Sequence, residues 1–552
     1  MRMKNRFFQF LYVAAAVVVM LSSCSKIPDQ MNAIPSDASM VLVFNTKQLL
    51  LKAKMDQFNQ TNIFKKLKTV LEAENPEMGK FADELVKNPQ LTGIKITSDV
   101  CFYASGNKDS QVSLGLLAGI KSKENFEKFV TGLLDLTKSN EKIEKDGDVS
   151  YISSYSSVLI WNDKSLLLLF SKAFNYDEKG ILAAAKSQIL QGKSNSLVAN
   201  ADFVSFYKKQ KDVDMWLSNK NLQNMIGANP AFRNQLPFMG LDANSHIHAE
   251  FKKGEIVVNG ESVMSDSLKK VLAEKPIARS FENKQLLQLL PDSTALVGSI
   301  SVNMGNIYEL FIKKIPELNQ VDQMLSQSSL SVQEIFNTLG GDFVLAISTI
   351  GSRVETYPTM TSSIDPNTGE EVYRDTTMTK EFPSVNGTLC FSINNTKVID
   401  SLMAKIPQGQ LQKTDNYYVI PIPTMPVYLN IGKGAVVLTT NKDVVEKAET
   451  GGLQKNLAGT DMANKIMGNA SYFYMNVNIK SYPKLQKILF DDMGSSPQKT
   501  AAFNMWSIFD YVEGSSNATD MSSKGVVKFT SDSENSLYLI LKTIDDNFEK
   551  LL

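Results

Sequence analysis

Ile34-Pro35-Ser36-Asp37-Ala38 runs into Met40-Val41-Leu42-Val43-Phe44, and Leu290-Pro291-Asp292-Ser293-Thr294 runs into Ala295-Leu296-Val297-Gly298-Ser299-Ile300. Each stretch is a proline-containing turn followed by an apolar, β-prone run, and each is followed by a segment with helical spacing. In the first copy that segment carries Phe64, Leu67, Val70 and Leu71, and in the second Leu310, Phe311, Ile315 and Leu318. Spacings of three and four residues put such side chains on one helix face. Self-similarity at long period is the mark of a duplicated architecture.

The order of elements continues to match outward from these two anchors. Ser98–Ser105 parallels Gly341–Ser348, and Ser113–Ile120 parallels Gly387–Ile393. An amphipathic helix follows in each copy, with Phe126, Phe129, Val130, Leu133 and Leu134 in one and Val398, Ile399, Leu402, Met403 and Ile406 in the other. Strand runs Ser157–Trp161 and Ser165–Phe170 then answer to Val427–Ile431 and Ala435–Thr439. The last part of each copy matches more loosely, Gly254–Val258 against Gly525–Phe529 being the clearest pair. The expected class is α+β: two tandem pseudo-repeats of mixed, mainly antiparallel sheet with packed helices. The first repeat should span 34–275 and the second 288–552, with a hairpin insertion at 352–385.

The N-terminus reads as a secretory signal. Arg2, Lys4 and Arg6 precede an apolar stretch, Phe7–Leu21, that is shorter than the roughly 20 residues a membrane span needs. It exits through Leu21-Ser22-Ser23-Cys24, which resembles the bacterial lipobox. That resemblance implies a signal peptide over 1–23, acylation of Cys24 by diacylglycerol and a further acyl chain, and a lipidated tether over 24–33. Several chains at about 0.8 kcal/mol per buried methylene anchor stably. Lys26 is not the aspartate that holds some lipoproteins in the inner membrane, and no acidic run follows Cys24. The expected location is the outer membrane, on the periplasmic face rather than the surface.

Lysine plus arginine and aspartate plus glutamate balance at 58 each, so the chain has no electrostatic footprint for nucleic acid. An apolar content of 43% against 21% charged residues describes a folded chain. Beyond Cys24 only Cys101 and Cys390 remain. The compartment permits a bridge, but both sit in apolar strand-like runs, where a free thiol behaves as a small hydrophobe.

A lipobox, an Ile-Pro-Ser-Asp-Ala turn into a valine-rich strand and duplication over this length resemble one uncharacterised bacterial lipoprotein family, catalogued as domain of unknown function four-eight-three-six. The resemblance covers essentially the whole chain. It implies an exported, anchored, globular protein, and it brings no catalytic residue and no cofactor beyond the lipid on Cys24.

Three groups of side chains qualify as sites. His246 and His248, the only histidines, stand in Ser245-His246-Ile247-His248-Ala249-Glu250. On a strand alternate residues share a face, so His246, His248 and Glu250 form either a zinc or copper half-site or a solvated polar face. The Thr- and Ser-rich stretch 352–385 carries Asp365-Pro366-Asn367-Thr368-Gly369, which is turn chemistry. It reads as an extended hairpin and a binding element, and Asp365, Asn367, Glu370 and Glu371 are a fragment of a calcium loop too short to be a whole one. Trp161, Trp216 and Trp506 are core or edge aromatics, or a carbohydrate platform.

The sequence contains no Gly-x-Ser-x-Gly, His-Glu-x-x-His, Cys-x-x-Cys or phosphate loop. The leading expectation is a non-catalytic binding or scaffold lipoprotein with an envelope protein or glycan as partner. An envelope hydrolase, using a carboxylate pair or a histidine-bound metal, and a periplasmic assembly factor are the alternatives.

Overall fold

The structure, a computed structural model, describes residues 27–551 apart from 97, 107–111, 155, 173–177, 227–241, 316–317, 327–329, 365–368, 370, 408–409, 423–424, 433, 449 and 492–495. Cys24 and the N-terminal stretch expected to be a signal peptide lie outside the described residues. The protein is α+β, with antiparallel sheet as its framework. Residues up to Glu274 together with Asp520–Lys550 form one compact unit, and Lys275–Thr519 form another.

In the first unit the strands are β1 (Ala38–Phe44), β2 (Val100–Gly106), β3 (Val112–Gly119), β4 (Glu144–Asp146), β5 (Val149–Ser154), β6 (Ser157–Trp161), β7 (Ser165–Lys172), β8 (Val213–Ser218), β9 (Ala243–Lys252) and β10 (Glu255–Met264). They lie side by side as β4-β5-β6-β7-β3-β2-β1-β8-β9-β10, every pair antiparallel. The run Ser157–Trp161 is buried at every position. The reason is that both faces of this part of the sheet are covered. Val41, Val43, Cys101, Tyr103 and Leu117 face one core with Phe203, Phe206 and Tyr207. Val100, Ala118, Leu159, Trp161 and Leu168 face another with Phe126, Phe129, Val130 and Leu133. The second core is closed by helix Lys123–Leu136, which starts where Ser122 caps the Asn125 N–H and turns its five large apolar residues onto the sheet.

Two expected boundaries shift. The tether assigned to 24–33 is in part core: Asp29–Ala33 is a 3-10 turn, Met31 and Ile34 are fully buried, and Gln30 donates to Ser98 Oγ at 2.6 Å and to the Asp99 carbonyl at 3.0 Å. The C-terminal segment assigned to the second repeat belongs to the first unit. Strand Ser523–Phe529 pairs with β10, Glu255 opposite Lys528, because β10 would otherwise present an open edge. Helix Ser536–Leu551 follows it in, with Ser536 Oγ on the Glu255 carbonyl and Asp545 accepting from the Ile63 N–H.

In the second unit the strands are β11 (Leu296–Ser301), β12 (Leu339–Ile364), β13 (Glu371–Ile393), β14 (Gln412–Lys413), β15 (Tyr418–Ile420), β16 (Val427–Gly432), β17 (Ala435–Thr439), β18 (Ser471–Asn476) and β19 (Phe509–Ser516). They run β14-β15-β16-β17-β13-β12-β11-β18-β19, again antiparallel throughout. One face is core, with Val297, Val344, Ala346, Cys390, Val437 and Tyr472 packed on Leu286, Leu287, Val444 and Ile466. The opposite face leaves Ile300, Leu345 and Phe473 exposed by 47%, 43% and 40%. The helix on the face of Leu310, Phe311, Ile315 and Leu318 does not form as one piece. It breaks into Met304–Leu310, a 3-10 turn at Ile312–Lys314 and Leu318–Ser326, and Ile315 is extended (ψ 109°), as the residue before Pro316 is driven to be. Cys101 and Cys390 are both free and buried.

Candidate functional site

β9 and β10 meet through a two-residue turn in which Gly254 takes φ 65°, a conformation a side chain disfavours. The register counted out from that turn puts Glu261 opposite His246, while β8 puts Trp216 opposite His246 and Asp214 opposite His248. Helix Ala201–Lys208 lies over this face, with the Phe206 ring 5.3 Å from His246 and stacked 5.2 Å from His248. The face is therefore not solvated: His246 and His248 are buried, more so than the Ile247 and Ala249 between them.

His246 is held between two carboxylates, Nδ1 at 3.0 Å from Glu261 and Nε2 at 3.1 Å from Asp202. Asp202 also accepts from Trp216 Nε1 at 2.9 Å and Asn244 at 2.8 Å, and Glu261 from Lys209 at 2.6 Å. Burial opposes a charge on the ring, but the hydrogen bonds to Asp202 and Glu261 outweigh it and raise the His246 pKa above 6.5. The same contacts hold Asp202 and Glu261 below their ordinary values against the opposing effect of burial. His248 Nδ1 lies 2.6 Å from Asp214, which accepts the Lys211 N–H as well.

The expected metal half-site does not assemble. Both ring nitrogens of His246 are committed to carboxylates, His248 turns Nδ1 to Asp214, and the Glu250 carboxylate faces Lys252 and Lys211 at 3.6 and 3.9 Å. Among the described residues no group of three or more His, Cys, Asp or Glu has the geometry to hold a metal. The tryptophans do not form a platform either: Trp161 and Trp216 are buried, and Trp506, 39% exposed, donates to the Val477 carbonyl at 2.7 Å.

Asp99 deepens the same polar layer. It is fully buried and accepts from the Tyr207 hydroxyl and from Gln210 at 2.9 Å, while its Oδ1 finds no partner among the described residues. Burial, opposed by those two hydrogen bonds, pushes its pKa up to about 6. A raised carboxyl pKa gives stability that is complete below the unfolded value near 3.8 and is lost as pH rises toward 6. About two pKa units correspond to about 3 kcal/mol. Asp99→Asn, which does not titrate, should gain on the wild type by about 2–3 kcal/mol between pH 4 and pH 7. Urea melts at the two pH values read this; an unchanged difference refutes it.

The second candidate is the hairpin of β12 and β13. After a bulge between Ile347 and Thr349 the strands stay paired from Thr349 opposite Asn386 to Ile364 opposite Glu371. At about 3.3 Å per residue this ribbon is about 50 Å long. Among the described residues no other strand pairs with it beyond Ile347 and Gly387. Of the predicted loop ligands, Asp365, Asn367 and Glu370 lie outside the described residues, and Glu371 opens β13, exposed, with its carboxylate accepting from Tyr373 at 3.0 Å. Side chains directly opposite share a face. One face carries Val354, Met360, Ile364, Glu371, Tyr373, Asp375 and Glu381; the other carries Tyr357, Arg374, Met378, Lys380 and Phe382.

The model of a family described as Domain of unknown function (DUF4836) matches residues 30–537. The protein belongs to that family. The match to the DUF4836 family runs through both units and includes the histidine cluster and the ribbon. No curated relative matches this DUF4836 chain. Among solved structures, two crystal forms of TP0453 are 11% and 10% identical to it. Each covers 46% of the chain, and 89% and 87% of their own chains are covered, with TM-scores of 0.22 and 0.24. The β subunit of DNA polymerase III from Thermotoga maritima is 10% identical over 72% of this chain and 98% of its own, with a TM-score of 0.08. The functional side chains missed in the sequence are Asp99, Asp202, Tyr207, Asp214 and Glu261. Of these Glu261 alone had a local signal, the count outward from the Lys253–Gly254 turn.

Proposed function

We propose that this is a lipid-anchored cell-envelope protein, acylated at Cys24 in the outer membrane and facing the periplasm, that acts as a non-catalytic binding or scaffold protein. Its body is read as a tandem duplication, supported by two nine-strand successions that pair in the same order from β4 to β9 and from β14 to β19. The observation that carries the binding function is the ribbon. A two-stranded hairpin is marginal in water by itself, and this one exposes Val354, Met360, Ile364 and Tyr373 by 63–72%. Such side chains on a projecting element are an unfilled contact surface. Among the described residues no helix is long and apolar enough to cross a membrane, so the anchor is assigned to the lipid. The body begins by Ile27, which packs on the core. Three residues from Cys24 reach about 10 Å, holding the first unit against the bilayer.

Replacing 349–386 by a two-residue Asn-Gly turn should leave a folded, membrane-bound chain that loses its crosslinked partners in intact cells. A full set of partners captured by the excised chain would dispose of this function for the ribbon.

A further inference from the structure

The two faces of the ribbon differ in charge as well as in composition. On the first, the described charged side chains are all acidic: Glu371, Asp375 and Glu381. They are set among Val354, Met360, Ile364 and Tyr373. On the second, the register places three basic residues, Arg353, Arg374 and Lys380, against one acid, Glu355, which stands opposite Lys380. Lys380 lies 5.5 Å over the Phe382 ring, beside Met378 and Tyr357, whose hydroxyl meets the Met378 sulfur at 3.3 Å. Each face thus combines apolar side chains with an excess of one sign of charge, acidic on the first and basic on the second. A surface of this kind is complementary to its own reverse side.

We propose that the ribbon's partner is the ribbon of a second copy of this chain, stacked with the acidic face of one on the basic face of the next. The inference rests on the reading of the ribbon as the recognition element and names its occupant. Stacking two ribbons makes a two-layer sheet with faces about 10 Å apart, which buries Met360, Ile364 and Tyr373 of one copy against Met378 and Phe382 of the other. Acid-to-base pairing fixes which faces meet, because like charges opposed across an interface cost several kcal/mol. Face-to-back contact is heterologous, so each dimer keeps one free face of each kind and the association continues into short arrays. Chains tethered at one membrane supply the common orientation and high local concentration such arrays need. An anionic lipid surface is disfavoured as the occupant of the first face by its three carboxylates.

The test uses the full chain in detergent, with association read by sedimentation across a concentration series. The wild type should associate, and Glu371→Lys/Asp375→Lys (first face basic) and Arg374→Glu/Lys380→Glu (second face acidic) should each weaken association at least about tenfold, or 1.4 kcal/mol. Mixing the two variants should restore it, because each now offers the other the opposite charge. A wild type that stays monomeric, or a mixture no better than either variant alone, overturns self-stacking. If the excised chain still loses a different crosslinked envelope protein, the ribbon remains a recognition element and only its occupant was wrong. If the excised chain loses nothing, both readings fail.

Discussion

His246→Ala lowers the stability of the folded chain by about 3 kcal/mol near pH 5.5, the scale of breaking a buried ion pair. The loss comes from what remains. Asp202 and Glu261 keep their negative charges with the cation between them gone, and among the described residues Trp216, Asn244 and Lys209 are left to serve them. Glu261 is about one-third exposed, so water recovers part of its share, which keeps the cost at the low end of the range for buried pairs. The pH dependence has a fixed sign. His246 has a raised pKa, so its contribution is complete below 6.5 and fades as pH rises through the folded value. Asp202 and Glu261 have lowered values, so theirs is complete above about 4–5 and fades as pH falls. The clamp therefore contributes most between those limits. Denaturant melts of wild type and variant at pH 5.5 and pH 8.5 should show a smaller difference at the higher pH; an equal difference at both would show that the ring acts by packing alone.

Trp161→Ala should cost about 4 kcal/mol, the usual loss for a buried tryptophan truncated to alanine. Trp161 is fully buried at the end of β6, edge-on to Phe126 at 5.2 Å, in the core closed by helix Lys123–Leu136. Its removal opens a cavity between sheet and helix that two rigid elements cannot collapse. Trp161→Phe tests the same site differently. The indole Nε1 is buried without a partner among the described residues, so phenylalanine gives up ring volume and also removes an unsatisfied donor. The expected cost is under about 2 kcal/mol. The same change at Trp216 should cost more, because its Nε1 serves Asp202 in the histidine clamp. Urea melts of the three variants rank these effects, and equal costs for the two phenylalanine variants would refute the role given to Nε1.

The legibility of the site divides along the same physical line. The alternation at 245–250 correctly placed His246 and His248 on one face, because period two is a property of the strand itself. Whether that face met water or protein depended on helix Ala201–Lys208, which lies outside the local window of β9 and sets Phe206 on both histidine rings. Asp99 and Tyr207 meet for the same reason, and no local pattern announces a partner so distant. The ribbon could be read as a hairpin from Asp365-Pro366-Asn367 and its β-prone flanks, but the opposite charges of its faces follow from the pairing after the bulge at Ile347.

The two proline-led strands behaved likewise. Ile34–Phe44 and Leu290–Ile300 are enough to place β1 and β11, because turn chemistry and β-prone runs act within a few residues. Position in the sheet was not local. β1 and β11 each became a central strand with long-range neighbours on both sides, and Ser523–Phe529, which follows the second unit in sequence, closed the edge of the first. Backbone hydrogen bonds take whatever open edge lies nearest in space. The sequence alone determined that the strongly apolar runs, such as Met40–Phe44, Ser157–Trp161 and Ala435–Thr439, are strands, but it held no sign of the more polar or shorter β5, β14, β15 and β19. Tertiary structure alone decided which unit each strand completes and which polar groups are buried together, because edge pairing and burial depend on chain segments that local pattern cannot bring into view.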